Sequence, residues 1–238
     1  IIGVTSFSDF QVGESAFITT LGSGADPANT TVAPGGAATT AGAFTFQTDG
    51  LTDTVTAVTV TLAPGTFASL LQLQITDDAE SIVYGSVNPL SDTPSIPLTT
   101  PITATTTSTQ YKIRVRPESH ALMPAPPGSS YALTARVSSW TGSNANHAGS
   151  DSGGTTVTID NLSPGSVTGA TATSGTTQVT LAWTNPADSD LGTIIVLRRA
   201  GSAVGDTPTE GETYSVGNII GSSTVACVVT APATGCTD

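Results

Sequence analysis

Charge is what this sequence has least of. Asp, Glu, Lys and Arg together make up 10% of its 238 residues, against roughly a quarter in ordinary soluble domains. Only 6 residues are Lys or Arg, against 18 Asp and Glu, which leaves a net charge of −12. Gripping nucleic acid takes clustered cations that displace counterions from phosphate, so no nucleic-acid partner is expected. The same shortage argues against anionic membrane surfaces. Aromatic residues are 5% of the chain, few for a sugar-stacking platform. No apolar run approaches the length of a spanning helix, so membrane insertion is not expected either. The opening Ile1-Ile2-Gly3 lacks the basic and apolar regions of a signal peptide. A processed N-terminus accounts for that as well as a cytosolic origin does.

Thr, Ser, Gly and Ala take the place of the missing charge. Disorder goes with few β-branched residues, whereas Thr, Val and Ile are abundant here and alternate, which is the pattern of half-buried strands. Residues 43–47, 55–62, 71–76 and 81–86 read as strands. Val58, Val60 and Leu62 share one face, and so do Leu71, Leu73 and Ile75. Tyr111, Ile113 and Val115 oppose Lys112, Arg114 and Arg116. Tyr131, Leu133, Ala135 and Val137 repeat the period, and residues 155–159 close the first domain. The turn signals between these runs are those of an antiparallel sandwich. One helical turn is expected within residues 66–72, and less than a tenth of the chain in helix. The fold class expected is all-β, as tandem antiparallel immunoglobulin-like and fibronectin type III-like β-sandwiches. A leading extended segment and loop take residues 1–42, the first sandwich 43–162 and the second 163–238.

In the last third, Pro164 and Val167 precede Val179-Thr180-Leu181-Ala182-Trp183, and a third strand follows from Ile194 to Arg198. This stretch resembles a fibronectin type III domain. The resemblance implies that Trp183 packs in the core between two sheets, where an alternating strand would put it in any case. Ile195 and Leu197 are expected in the same core. The family continues with a long Tyr-containing strand and a last strand. Neither is read after Leu197, so the domain is expected to lack its last strands. The third strand is then left with an open edge, to be covered by a natural chain that continues past Asp238 or by a neighbouring copy. The first domain looks generically immunoglobulin-like. The tandem resembles modules of bacterial cell-surface and extracellular proteins.

Cys227 and Cys236 flank a stretch containing Pro232 and Gly235. A hairpin-like return there brings them within bridging range, and a disulfide points to an oxidising, extracellular compartment. Their spacing fits no zinc or CxxC redox site. Lys112, Arg114 and Arg116 put half of all cations on one strand face. If the strand of Arg136 lies alongside, four of six share a stripe suited to docking an acidic partner. The acidic turns Asp77-Asp78-Ala79-Glu80 and Asp188-Ser189-Asp190 can each give a weak structural calcium site two or three ligands, fewer than calcium needs. No other cofactor or metal is expected. His120 and His147 sit in loops without companion ligands. No nucleophile–base set can be argued from one Ser among many, so no catalytic residue is assigned. Asn29 and Asn161 begin glycosylation-type triplets. Ile2, Val4, Phe10 and Val12 fall on one face at period two and form a candidate donor strand for a neighbouring copy.

The expected function is a non-enzymatic extracellular structural or adhesive surface protein, a fibre or surface-layer subunit assembled by strand exchange. The alternatives are a carbohydrate- or protein-binding module and an accessory region of a secreted enzyme. The expected partner is another copy, a surface protein or a glycan.

Overall fold

Alternating β-branched residues become strands almost throughout. The structure, a computed structural model, describes residues 16–124, 129–188, 191–209 and 212–238. The fold is all-β. Two three-residue 3-10 turns, Phe67–Ser69 and His120–Leu122, are the helical elements among the described residues. The chain divides into two units, residues 1–124 with 131–159, and 125–130 with 160–238.

The strands of the first part are β1 (Thr19–Ser23), β2 (Thr30–Val32), β3 (Thr39–Thr48), β4 (Asp53–Leu62), β5 (Leu70–Asp77), β6 (Val83–Val87), β7 (Ser95–Ala104), β8 (Thr109–Pro117), β9 (Ser129–Leu133), β10 (Ala135–Thr141), β11 (His147–Gly149) and β12 (Val157–Asn161). They form a six-stranded sheet in the order β11-β1-β3-β8-β5-β6 and two three-stranded sheets, β10-β4-β7 and β2-β12-β9. β1, β2 and the start of β3 therefore turn much of the expected leading loop into paired strand. The pairing is not wholly antiparallel, because the short strands β11 and β2 run parallel to β1 and β12.

One apolar core holds the sheets of this unit together. Phe44, Phe46, Ile75 and Ile113 from the large sheet are fully buried with Val58, Val60 and Ile96 from the β10-β4-β7 sheet. Burying a side chain of this size is worth roughly 1.5–3 kcal/mol. Tyr111, Ile113 and Val115 point inward as the alternation predicts, while Arg116 is exposed. Leu71 departs from the expected face. A register shift between Leu70 and Gln72 buries Leu70 in its place and leaves Leu71 exposed. The period from Tyr131 to Val137 is also divided at Thr134, since β9 and β10 join different sheets. At one margin β6 crosses close to β7. A Cβ on Gly85 would sit 2.5 Å from the Pro97 carbonyl oxygen, so only glycine permits this approach.

The second unit carries β13 (Thr168–Ser174), β14 (Val179–Thr184), β15 (Thr193–Arg198), β16 (Ile219–Ile220), β17 (Ser223–Thr230) and β18 (Gly235–Thr237). Its two sheets are β13-β14-β18 and β15-β17-β16. This corrects the expectation that no strand pair follows Leu197. β17 reads Ser-Thr-Val-Ala-Cys-Val-Val-Thr, and its alternation hides behind small residues and the cysteine. The core is small: Trp183, Cys227 and Val229 are buried, with Val167, Leu181, Ile194, Val196 and Cys236 packed partly against them. Every residue of β13 is exposed.

Candidate functional site: an open strand edge beside an apolar groove

β15 is apolar at four successive positions and, among the described residues, is paired along one edge. It pairs antiparallel with β17, placing Ile194 opposite Val229 and Val196 opposite Cys227. Among the described residues no strand pairs with its other edge. An open edge presents a row of unpaired N–H and C=O groups, and proteins usually guard such edges with lysine, proline or a bulge that twists the edge strand away. Thr-Ile-Ile-Val-Leu-Arg contains neither Lys nor Pro, although its pairing with β17 is irregular between Val196 and Leu197. Ile194 and Val196 are the residues that pack on the Trp183 cluster. Ile195 and Leu197, expected in the core, fall on the alternate face and are half-buried. The register is thus one residue from that expected, because an all-apolar run gives the alternation nothing to fix it.

A groove of about 250 Å³ opens beside this strand. Val167, Leu181 and Trp183 line one wall, and Ile194, Ile195, Val196 and Leu197 all contribute to the other. The Trp183 indole N–H donates to Asn185 Oδ1 at 2.8 Å, and Asn185 Nδ2 donates to the Pro232 and Ala233 carbonyls. These bonds fix the indole so that its hydrocarbon body faces the apolar interior.

Cys227 and Cys236 form a disulfide, with Cα atoms 6.5 Å apart. They do not close a simple hairpin. Cys227 lies on β17 and Cys236 on β18, which belong to opposite sheets, so the bond staples the two layers of this unit.

The basic stripe is largely engaged within the first unit. Lys112 lies 3.2 Å from Glu80 and 3.7 Å from Asp78, and Arg114 lies 3.2 Å from Glu80 while donating to the Ala38 carbonyl at 2.5 Å. Arg136 does not extend the stripe, since β10 belongs to a different sheet from β8. Glu80 has a φ of 60°, an unusual backbone for a non-glycine residue. The Thr40 hydroxyl donates to it at 2.7 Å. That bond, joined by Lys112 and Arg114, holds its carboxyl below the ordinary value. The Ile82 backbone amide and the Ser81 hydroxyl lower Asp77 likewise. These bonds engage the acidic turn Asp77-Asp78-Ala79-Glu80 within the protein itself. In the other such turn, Asp188 accepts from the Gly165 amide, while residues 189 and 190 lie outside the described residues. Among the described residues, no three His, Cys, Asp or Glu side chains gather to hold a metal ion.

Sequence reading passed over the buried polar residues. Asp53 is fully buried and accepts from the Thr19 hydroxyl, the Ser143 hydroxyl and the Asn144 amide at 2.9–3.0 Å. Asn144 in turn donates to the Phe17 carbonyl and Thr19 Oγ1. Asp151 accepts from the Val137 and Gly153 amides, and burial, with Asp26 nearby, pushes its carboxyl up. The only sequence signal was an acid in a setting otherwise poor in charge. Trp140 is buried. It stacks on His147 at 4.2 Å and lies edge-on to Phe46 at 5.2 Å. Asn161 is buried at 1% exposure, which hides that glycosylation triplet. Ile2, Val4, Phe10 and Val12 lie outside the described residues.

A larger hollow of about 420 Å³ lies in the first unit, lined by residues such as Thr61, Pro64, Arg136 and Gly153. Its lining is mostly small, and Arg136 is its one charged side chain. The groove beside β15 is the more specific feature, because an unpaired backbone edge and an apolar surface meet there. Compared with known proteins, the chain matches no family model and no curated protein sequence.

Proposed function

We propose that this chain is a non-enzymatic structural or adhesive component of an extracellular surface or fibre, and that it self-associates by strand exchange at β15. The observation that carries this reading is the juxtaposition of the open β15 edge with the apolar groove. Main-chain bonding at such an edge gives affinity, and pockets for alternate side chains give specificity. The disulfide fits an oxidising compartment. The fibronectin type III-like reading of this unit is part of the same proposal, supported by Trp183 packed at the centre of a two-sheet unit. The non-catalytic reading is supported by how the acids are used. Asp53, Asp77, Glu80 and Asp151 all accept hydrogen bonds from neighbouring strands and turns.

The test is the assembly state of the purified, oxidised protein. Sedimentation velocity across a concentration series and negative-stain electron microscopy are expected to show concentration-dependent oligomers or fibres. A strict monomer at every concentration overturns the reading. Monomers that bind on a glycan array would move the assignment to a carbohydrate-binding module.

A further inference from the structure

We propose that the outer face of the large sheet around Arg116 is a binding site for a sugar that bears a single carboxylate. The site lies within the first unit, so the inference is independent of strand exchange at β15.

The three cations of β8 are not equivalent. Lys112 and Arg114 are met by Asp78 and Glu80. Arg116 is exposed and, among the described residues, takes part in no ion pair or hydrogen bond. Beside it lies a groove of about 410 Å³, whose lining includes Leu71, Gln72, Ser86, Asn88 and Arg116 itself. That volume is in the range of small-molecule sites. Strand pairing builds the groove. Gln72 stands opposite Arg116, and Leu73 stands opposite Val87, which brings Asn88 level with Gln72. The row Arg116, Gln72, Asn88 thus crosses three neighbouring strands, a span of about 10 Å. The register shift between Leu70 and Gln72 turns Leu71 outward beside the row, as bulges re-aim side chains.

The groove is rich in free donors. Gln74 Nε2 donates to Gln72 Oε1 at 3.0 Å, so the Gln72 carbonyl is engaged while its amide hydrogens are left to donate. The Ser86 hydroxyl and the Asn88 amide are exposed alongside. A guanidinium matches a carboxylate in a two-bond fork. Amides and a hydroxyl suit the hydroxyls of a sugar ring, and Leu71 offers its C–H face an apolar contact. Charge narrows the ligand further. The groove holds one cation, and a chain of net charge −12 repels polyanions at long range. One carboxylate on an otherwise neutral, hydroxylated body meets both conditions. Such a sugar is gripped by charge and amides, so it needs no aromatic platform from a chain that has few rings.

The probe is D-glucuronate added to the full, oxidised chain, with binding read by saturation-transfer NMR, which works on monomers and assemblies alike. Transfer to the glucuronate ring protons is expected. Binding weaker by about tenfold or more is expected for glucose in its place and for Arg116→Gln, with Arg116→Lys falling between that variant and the parent. Near-UV circular dichroism checks that each variant folds like the parent. Arg199→Gln, which removes an exposed cation of the second unit, should bind as the parent does. No transfer to glucuronate overturns the proposal, and so does glucose bound equally well or an Arg116→Gln chain that binds unchanged. Acetate or sulfate that displaces glucuronate at equal concentration would reveal a bare anion subsite and overturn the sugar assignment. Glucuronate bound by a chain that never assembles supports the site while the strand-exchange reading falls.

Discussion

Trp183 and Glu80 show how much a single side chain carries in a protein with few large or charged ones. Trp183 is one of three buried residues in its cluster, so truncation leaves a cavity that little can fill. Trp183→Ala is expected to cost about 3–5 kcal/mol, and Trp183→Phe about 1 kcal/mol through the lost bond to Asn185. Urea denaturation followed at the second unit checks both, and an unchanged midpoint for the alanine variant would contradict the burial. Glu80 gives a pH dependence. Its folded pKa lies below its ordinary value of 4.5, so its contribution is present above that value and is lost as pH falls through the depressed folded pKa. Asp77 acts in the same direction. Glu80→Gln is expected to lower stability at neutral pH and to match the parent in acid, once pH has fallen below the depressed folded pKa. Denaturation at the two pH values reads this directly, and an equal deficit at both would show that the carboxylate charge is not what matters.

Strands in this protein differ in how firmly their register is set. β8 alternates apolar with cationic residues, so only one register avoids burying three charges. β15 is apolar at four successive positions, and β17 decides which of its faces is inside. Ile194→Ala is expected to cost about 2 kcal/mol and Ile195→Ala under about 1 kcal/mol. Thermal melts of the pair test the register, and the reverse order would show it to be off by one residue. The segment following β10 is set differently, by Asp53. A Cβ on Gly142 would lie 2.5 Å from both carboxylate oxygens. Gly142→Ala should therefore displace a fully bonded buried acid and destabilise by roughly 1–3 kcal/mol. Hydrogen exchange should rise at the Asn144 amide, which donates to that carboxylate.

At the scale of the whole molecule, the two units are stabilised by different means. The first has an extensive apolar core with several fully buried aromatic and aliphatic side chains. The second has a few buried residues and a disulfide between its layers. In the chain-entropy view, closing a loop between cysteines nine residues apart contributes roughly 2–3 kcal/mol. Reduction, or Cys227→Ser with Cys236→Ser, should speed amide exchange across β14 and β17 and leave β3 and β8 as protected as before. Equal loosening of both sets would show that the bond stabilises more than its own unit. The open edge of β15 belongs to the unit with the smaller core, where a docked strand would add apolar burial.

Composition and period two determined the class of this protein. Scarce charge, abundant Thr, Val and Ile, and the alternation around Tyr111 to Val115 admit little but half-buried strands. Trp183 was legible for the same reason, and so was the cysteine pair by its short separation. Tertiary structure decided what local pattern leaves degenerate. An all-apolar run cannot say which of Ile194 and Ile195 faces inward. A strand of small residues around Cys227 does not stand out from a loop. Nothing near Lys112 in sequence reveals that Glu80, 32 residues away, neutralises it, or that Arg136 lies in another sheet. Trp140 is closed off by His147, seven residues on, and by Phe46 from a distant strand. Patterns of period two fix the face a side chain takes within its strand. Only the pairing of strands far apart in the chain fixes which face is buried, which charges meet, and which edge stays open.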